Sequence, residues 1–350
     1  MRVDHYLEKE IIMKALFIGG TGTISMAISR LCLSKGHELY LLNRGSRNGE
    51  LPEGAVYLKG DINDEKKVLE LIEGMHFDVV CEFIGFTPNQ VERDFRLFSG
   101  RTDQYIYISS AAAYQKPVAN YMINEGTTLA NPFWQYARDK IECEKVLLRH
   151  FREDGFPVTI VRPSHTYDER RLPLDVEGRK GSWQVIDRML KGKPVLINGD
   201  GTTLWTVTFN RDFAKGFVGL MGNVRAIGEA VQITNDESLT WNEIYQATAN
   251  ALGVPFRPYY VTTDFLVETG DPGLFEGLWG DKSNTVVFDN SKIKRLVPGF
   301  VPDINWSEGV RIALDYIMSH PECQVPDPEF DEYCDRVIEA LETAKMLVRS

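Results

Sequence analysis

The pattern of apolar and polar positions divides most of the chain into short apolar runs that alternate with amphipathic segments. Such runs are typical of strands in a parallel sheet that is covered on both faces. They lie at residues 16–18, 38–42, 56–58, 78–83, 104–109, 158–161 and 230–234. Helical spacing of apolar residues begins at Ile24 and recurs at residues 65–73 and 135–149. This alternation predicts an α/β fold with a Rossmann-type doubly wound parallel sheet.

The rest of the chain predicts a smaller C-terminal substrate lobe. We expect an N-terminal extension at residues 1–12, a Rossmann domain at 13–163 completed by about 206–234, and the lobe with C-terminal helices at 164–205 and 235–350. Inside the lobe the pattern predicts helices at 183–191, 306–319 and 328–348, and loops at 169–181, 253–258 and 269–280. The last helix suits packing on the lobe or on a subunit partner, so a homodimer is one arrangement that fits the sequence.

A glycine-rich turn follows the first apolar run. Gly19, Gly20 and Gly22 allow a tight turn and a close approach of the backbone to a ligand. The helix that starts at Thr23 presents free N–H groups at its N-terminus, which suit a pyrophosphate. The alternative is an ordinary strand–helix turn without a ligand. The residues expected to bind a dinucleotide here are Gly19, Thr21, Gly22, Thr23 and Ile24.

The end of the second run indicates which dinucleotide is bound. Asn43 stands about 20 positions beyond the glycines, where an acidic residue would bind the adenine ribose 2′-hydroxyl of NAD. A missing carboxylate, together with Arg44 and Arg47, favours the 2′-phosphate of NADP. The alternative is that both arginines are solvated loop residues. The cofactor is therefore predicted as NAD(P), with a preference for NADP.

Three residues near the middle of the chain suggest chemistry. Tyr136 and Lys140 are separated by one helical turn and share a face of the predicted helix. A lysine beside a tyrosine hydroxyl favours the phenolate and lowers a pKa that is otherwise about 10. Ser110, at the carboxyl end of the 104–109 run, could hydrogen-bond the substrate oxygen. These residues predict a general acid/base site, although a tyrosine and a lysine at this spacing also occur by chance.

Composition and charge exclude several other classes of protein. The net charge of −11 gives no general attraction to nucleic acid or to an anionic membrane. No apolar run approaches the ~20 residues of a membrane helix. The five cysteines lack metal-site spacing, so we expect no metal and reduced thiols in a cytoplasm. The expected partner is a small-molecule substrate, without nucleic acid or membrane.

The motifs together resemble the extended short-chain dehydrogenase/reductase family, the NAD-dependent epimerase/dehydratase group. The resemblance covers roughly residues 13–306 and rests on the motifs at 19–25, 61–62, 109–110 with Tyr114, Tyr136 with Lys140, and 162–163. It implies that Asp61 and Ile62 contact the adenine and that Lys140 also bonds the nicotinamide ribose. Phe83 and Pro163 complete the cofactor site that the resemblance implies.

Departures from the family pattern bear on the reaction. Dehydratase members carry an Asp-Glu pair directly after the active serine or threonine, where this chain has Ala111 and Ala112. Alanine moves no protons, which argues against sugar 4,6-dehydratase activity. Ser25 replaces the third glycine of the cofactor loop, a change that we expect to be tolerated.

Two further departures concern the substrate. His165 stands where relatives usually have an asparagine that faces the substrate, and it could tune the pH response of the site. Trp205 occupies the position of an arginine that binds the diphosphate in sugar-nucleotide members, which weakens the case for a UDP-type substrate. An arginine at 170, 171 or 179 could compensate.

The resemblance implies an NAD(P)-dependent oxidoreductase or epimerase that acts on a sugar or a sugar-nucleotide-like alcohol by tyrosine-assisted hydride transfer. One alternative is an NAD(P)H-dependent carbonyl reductase of a non-nucleotide substrate. Another is a non-catalytic NAD(P)- or RNA-binding relative, because the turn at residues 43–45 is similar to that of plastid stem-loop-binding proteins.

Overall fold

Seven parallel strands form the central sheet of the protein. The structure is a computed structural model that describes residues 12–45 and 51–350. The strands of the sheet are β1 (Lys14–Ile18), β2 (Glu38–Asn43), β3 (Val56–Lys59), β4 (Val79–Glu82), β5 (Tyr105–Ile108), β7 (Val158–Pro163) and β12 (Ala230–Ile233). Their order across the sheet is β12-β7-β5-β4-β1-β2-β3. The order reverses at β1, which is where a doubly wound sheet opens a crevice at the carboxyl ends of its strands.

Alternation along the strands explains why helices cover both faces of the sheet. In β1, Ala15 and Phe17 join one buried hydrophobic cluster, whereas Leu16 and Ile18 join another on the opposite face. The first face is covered by α1 (Thr23–Ser34), α6 (Asn210–Leu220) and α10 (Ser291–Leu296). The second is covered by α2 (Glu65–Leu71), α3 (Pro88–Phe98) and α4 (Gln135–Asp154). These observations confirm the predicted α/β class.

A third hydrophobic cluster forms the core of the C-terminal lobe. The helices of the lobe are α5 (Trp183–Leu190), α7 (Trp241–Leu252), α8 (Thr263–Thr269), α9 (Pro272–Gly277), α11 (Trp306–Ser319) and α12 (Pro328–Arg349). The remaining strands form four two-stranded pairs, namely β6 (Met122–Ile123) with β15 (Val287–Phe288), β8 (His165–Tyr167) with β11 (Val207–Phe209), β9 (Val195–Asn198) with β14 (Pro258–Val261), and β10 (Leu204–Trp205) with β13 (Leu239–Thr240). The domain boundaries given above remain predictions.

Two parts of the sequence prediction differ from the structure. Residues 269–280, expected to be a loop, contain α9 and the start of a π-helical turn at Leu278–Lys282. Helix α3 was not anticipated, because its buried face includes the charged residues Arg93 and Asp94. A capping box of Thr240 and Glu243 starts α7. The extension at residues 1–11 and Arg47 lie outside the described residues.

Candidate functional site

The glycine turn between β1 and α1 brings the backbone against the neighbouring strands. Gly19 has a φ of +81°, and a Cβ atom added to it would lie 2.5 Å from the Ile84 side chain. A Cβ atom at Gly20 would lie 2.5 Å from the Leu41 side chain. A larger residue at either position would therefore displace its neighbour. The turn leaves the first backbone N–H groups of α1 at the edge of a cleft, which fits a pyrophosphate.

Ser25, the residue in place of the family's third glycine, closes this turn. Its hydroxyl accepts a hydrogen bond from the Gly22 amide and donates one to the Gly19 carbonyl, both over 2.8 Å. The side chain thus pairs two polar groups of the turn, and the substitution is accommodated without a clash.

A cleft of about 540 Å³ extends from this turn along the ends of β2 and β3. Most of the residues predicted to bind the cofactor line it, namely Gly19, Thr21, Gly22, Asn43, Arg44, Asp61 and Ile62. The Asn43 amide nitrogen is buried and has no hydrogen-bond partner among the described residues, and Arg44 is exposed at the rim. An unpaired amide and an exposed guanidinium at this end of the cleft suit the adenine ribose of a dinucleotide.

The other predicted cofactor residues lie elsewhere. Thr23, Ile24 and Pro163 line a second cleft of about 490 Å³, which meets the first at the start of α1. Phe83 is half-buried, packs against Phe17 at the edge of the core and lines neither cleft. Two clefts that meet at one helix N-terminus suit the two halves of a dinucleotide.

Ser110 and Tyr136 line the second cleft together. Ser110 follows β5 and its hydroxyl accepts a hydrogen bond from the Ala112 amide, while Tyr136 lies in the first turn of α4. Burial raises the pKa of Tyr136, and the contact with the Ser110 hydroxyl opposes that rise. The structure therefore differs from the sequence expectation of a lowered pKa, because desolvation of the phenol dominates.

Lys140 is buried beneath Tyr136 and lines neither cleft. Its ammonium donates hydrogen bonds to the carbonyls of Gly85 and Ile108, both over 2.7 Å. It lies 5.8 Å from the centroid of the Tyr136 ring. Burial lowers the pKa of Lys140 to about 8. The shared helix face predicted from the sequence is present, but here the ammonium is held by main-chain oxygens.

His165 lines the second cleft at the start of β8, as its position predicted. Burial lowers its pKa well below the ordinary value, and the positive charges of Lys282 and Arg171 lower it further. This direction differs from the expectation of a near-neutral pKa for His165, because desolvation and two nearby cations disfavour the protonated ring.

Trp205 lines the same cleft but is itself buried, with its indole stacked on Trp241 at a centroid distance of 5.7 Å. Its indole nitrogen and the Thr166 hydroxyl have no hydrogen-bond partner within the described residues. Of the three arginines considered as substitutes for a diphosphate-binding arginine, Arg171 lines the cleft, whereas Arg170 pairs with Asp168 and Arg179 pairs with Asp271.

Four charged residues besides Asp168 reach the second cleft from the lobe, and the sequence suggested a role only for Arg171. They are Arg171, Glu177, Asp281 and Lys282. The first two lie in the charged segment at residues 169–181. The other two lie in the π-helical turn, a type of element often found at functional sites. The dipeptide Gly-Asp after an apolar stretch carries no signal that would have identified Asp281.

A buried ion pair supports the floor of this region. The Arg162 guanidinium bonds both oxygens of Glu144, with Nε–Oε1 and Nη2–Oε2 distances of 2.9 and 2.6 Å. The Ser109 hydroxyl donates to the same carboxylate, directly before Ser110. Paired in this way, the two charges fix the end of β5 relative to α4 and β7.

Comparison with known proteins assigns the family. The sequence profile of the NAD dependent epimerase/dehydratase family matches residues 15–234. The chain belongs to this family. The resemblance noted from the sequence motifs is thereby confirmed, and the family assignment supports an NAD-dependent enzyme. In the described residues, no helix has the length and apolar character needed to cross a lipid bilayer.

Individual relatives differ in what they do. The chain is 24% identical over 312 residues to 2'-dehydrokanamycin reductase of Streptomyces kanamyceticus, covering 87% of this chain and 85% of the relative. It is 26% identical over 263 residues to the chloroplast stem-loop binding protein of 41 kDa b of Arabidopsis thaliana, covering 71% and 66%.

Solved structures share the fold at lower identity. UDP-glucuronic acid 4-epimerase from Bacillus cereus, in complex with UDP-glucuronic acid and NAD, has a TM-score of 0.68 at 20% identity, covering 88% of this chain and 99% of its own. UDP-glucose 4-epimerase from Thermus thermophilus, in complex with NAD, has a TM-score of 0.67 at 19% identity, covering 87% and 99%. At these identities the likeness concerns the fold.

Proposed function

We propose that the protein is an NADP-dependent oxidoreductase that transfers hydride to or from a sugar-like substrate with Tyr136 as the proton carrier. The observation that carries the proposal is the shared position of Ser110 and Tyr136 in the cleft that begins at the N-terminus of α1. A ketone or alcohol in that cleft would meet a hydroxyl pair on one side and the cofactor on the other.

The described residues fit the dinucleotide. The glycine turn at Gly19 and Gly20 leaves no room for a side chain, so a ligand can approach its backbone closely. The first turn of α1 faces the junction of the two clefts. Asn43 and Arg44 would hold the 2′-phosphate, and Asp61 with Ile62 would flank the adenine. When bound, the nicotinamide supplies or accepts a hydride at the substrate carbon.

Side chains of the protein would donate and accept the proton of the substrate hydroxyl. In the reducing direction, Tyr136 donates its phenolic proton to the substrate oxygen while the Ser110 hydroxyl bonds the same oxygen. In the oxidising direction, the phenolate takes that proton back. Lys140 lies below the ring, where its positive charge stabilises the phenolate as it forms. Ala111 and Ala112 line the same cleft and offer no second acid or base.

Both outcomes of the family chemistry remain open to this site. A reductase consumes NADPH, whereas an epimerase keeps the ketone bound and reduces its other face. The relative named 2'-dehydrokanamycin reductase aligns with most of the chain. This similarity favours the hypothesis of a reductase that acts on a non-nucleotide substrate. Trp205, at the position of a diphosphate-binding arginine, also favours a substrate without a nucleotide diphosphate.

A non-catalytic role in RNA binding is the rival from another class. The relative named as a stem-loop binding protein motivates it. The net charge of −11 and the retained Ser110, Tyr136 and Lys140 weigh against it. A salt-dependent shift with a stem-loop RNA at physiological ionic strength would support the rival.

The decisive experiment titrates the protein with NAD, NADH, NADP and NADPH while following the fluorescence of the reduced forms. We expect micromolar binding with a preference for the phosphorylated pair. Arg44→Ala should weaken NADP(H) about tenfold or more and leave NAD(H) nearly unchanged, because only the former carries the 2′-phosphate.

Binding of none of the four nucleotides would remove the proposal as a whole. Tighter binding of NAD than of NADP would refute the cofactor preference alone. Exchange kinetics then separate the two reactions, since a tightly held nucleotide that never exchanges indicates an epimerase and a freely exchanging one indicates a reductase.

A further inference from the structure

The substrate cleft contains one carboxylate whose bonding capacity is largely unused. Asp281 lines the cleft together with Tyr136 and Ser110. Among the described residues its one ion-pair partner is Lys116, at an Nζ–Oδ1 distance of 3.4 Å. An ammonium–carboxylate hydrogen bond is ordinarily about 2.7–2.9 Å long, and a carboxylate offers about four acceptor positions. Asp281 therefore retains acceptor positions for a ligand.

The other charged groups of the cleft are already engaged. The Asp168 carboxylate pairs with Arg170, and Glu177 pairs with Arg171, each over 2.6 Å. The ammonium of Lys282 donates to the main-chain oxygens of Leu174 and Asp175 over 3.0 and 3.1 Å. The two cations that line the cleft thus hold the protein itself, whereas Asp281 is the lining carboxylate with the weakest pairing.

Asp281 is held in a fixed position relative to the catalytic segment. The buried Asn131 amide donates to the carbonyl of Ala112 over 2.8 Å and to the carbonyl of Gly280 over 2.6 Å. Trp134 packs closely on the same turn: a Cβ atom added to Gly280 would lie 2.6 Å from the Cβ atom of Trp134. These contacts connect the two walls of the cleft, so that the distance between Asp281 and Ser110 is set by protein contacts.

Asp281 also lies near the reacting position. After burial and the Ser110 contact, its negative charge is the next influence on Tyr136, and it raises the pKa of the phenol. Its own side chain is 18% exposed, whereas the side chain of its partner Lys116 is only 1% exposed. Lys116 therefore approaches from inside the protein, and the open side of the carboxylate faces the cleft.

We propose that Asp281 binds a protonated amine of the substrate, so that the substrate class is an amino-sugar-like alcohol or ketone. The assignment rests on the oxidoreductase function proposed above and deepens it. An ammonium suits this site because the Asp281 carboxylate carries a negative charge and has unused hydrogen-bond acceptors. The cations that line the cleft already bond to other groups of the protein. An anionic nucleotide diphosphate would meet three lining carboxylates, and the two lining cations already bond to groups of the protein.

The test is calorimetric titration of the NADP⁺-loaded protein with kanamycin A, a cationic aminoglycoside, and with its N-acetylated form, which carries no charge. We expect kanamycin A to bind, the acetylated form to bind at least about tenfold more weakly, and the affinity for kanamycin A to fall as salt is raised. These comparisons use the wild-type chain and do not depend on the folding of a variant.

Asp281→Asn should weaken kanamycin A about tenfold or more while leaving the NADP⁺ affinity unchanged. Asp264→Asn is the matched control, since Asp264 is an exposed carboxylate of the same lobe that bonds the Trp279 indole and does not line the cleft. Equal affinity of wild type and Asp281→Asn for kanamycin A would overturn the assignment, as would tighter binding of UDP-glucose than of kanamycin A. If NADP⁺ binds but kanamycin A does not, the amine inference fails and the oxidoreductase proposal stands.

Discussion

The Lys140 ammonium donates a hydrogen bond to the main-chain oxygen of Gly85 over 2.7 Å. Gly85 lies between β4 and α3, and the Tyr107 hydroxyl donates to the same oxygen over 3.1 Å. The lysine is thus tied to the loop beside the cofactor cleft as well as to the helix of Tyr136. Burial of this ammonium lowers its pKa to about 8, which gives a measurable effect on stability.

Lys140→Met should abolish one component of the pH dependence of unfolding. Below about pH 8 the ammonium is protonated in both states, and between about 8 and 10.5 only the unfolded chain keeps the proton. The unfolded state then binds more protons, so the wild-type free energy of unfolding should rise with pH across this window, by on the order of 3 kcal/mol.

Urea denaturation of both chains at about pH 7.5 and about pH 9.5 measures this difference. Buried groups remote from Lys140 cancel in the comparison, whereas Cys143 interacts with the ammonium and is part of the measured difference. Parallel pH dependences of wild type and Lys140→Met would contradict the lowered pKa.

Tyr136→Phe should reduce turnover by ~10²–10⁴-fold, because it removes the proposed proton carrier and keeps the ring packing. Its cofactor affinity should change little, whereas Lys140→Ala should lower both turnover and cofactor affinity. Steady-state rates and nucleotide titrations provide the measurements, with circular dichroism as the control for folding. Full activity in Tyr136→Phe would refute the mechanism and leave the family assignment intact.

Gly19→Ala and Gly36→Ala form a matched pair, since both glycines have a φ of +81°. A Cβ atom at Gly36 meets nothing within 4 Å, whereas one at Gly19 would lie 2.5 Å from the Ile84 side chain. Gly36→Ala should cost about 1 kcal/mol of backbone strain, and Gly19→Ala roughly 1–3 kcal/mol more through overpacking. Only Gly19→Ala should weaken nucleotide binding. Equal losses of stability in denaturant would indicate that the close approach is unimportant.

Incubation with nucleotide-sugars should not yield 4-keto-6-deoxy products, because Ala111 and Ala112 occupy the cleft wall where a dehydratase needs an acid and a base. Mass spectrometry of the reaction mixture, with a known 4,6-dehydratase as the positive control, checks the prediction. A dehydrated product would mean that another residue, with Asp281 the first to test, supplies the proton transfer.

Local patterns in the sequence predicted the sheet and the cofactor cleft because these depend on neighbouring residues. Gly19 and Gly22 lie in one turn, and Tyr136 and Lys140 share one helix face, so spacing alone brings each pair together. Asp281 reaches the cleft through contacts between segments 149 positions apart, such as the Asn131–Gly280 hydrogen bond, and no local pattern encodes them. The spacing of residues along the sequence also does not show how deeply a side chain is buried. Burial is the main cause of the pKa directions of Tyr136 and His165, which differ from the expectations.

The Asn131 bridge also bears on how a substrate reaches the site. Separating the wall at Ala112 from the wall at Gly280 would break one of the two Asn131 hydrogen bonds and leave one amide N–H and one carbonyl oxygen unpaired in a buried setting, at about 1–3 kcal/mol for each group. A hinge that opens at this point is therefore an unfavourable route. We expect the substrate to enter instead past Arg171, whose side chain is exposed at the rim of the cleft, while the catalytic walls remain rigid.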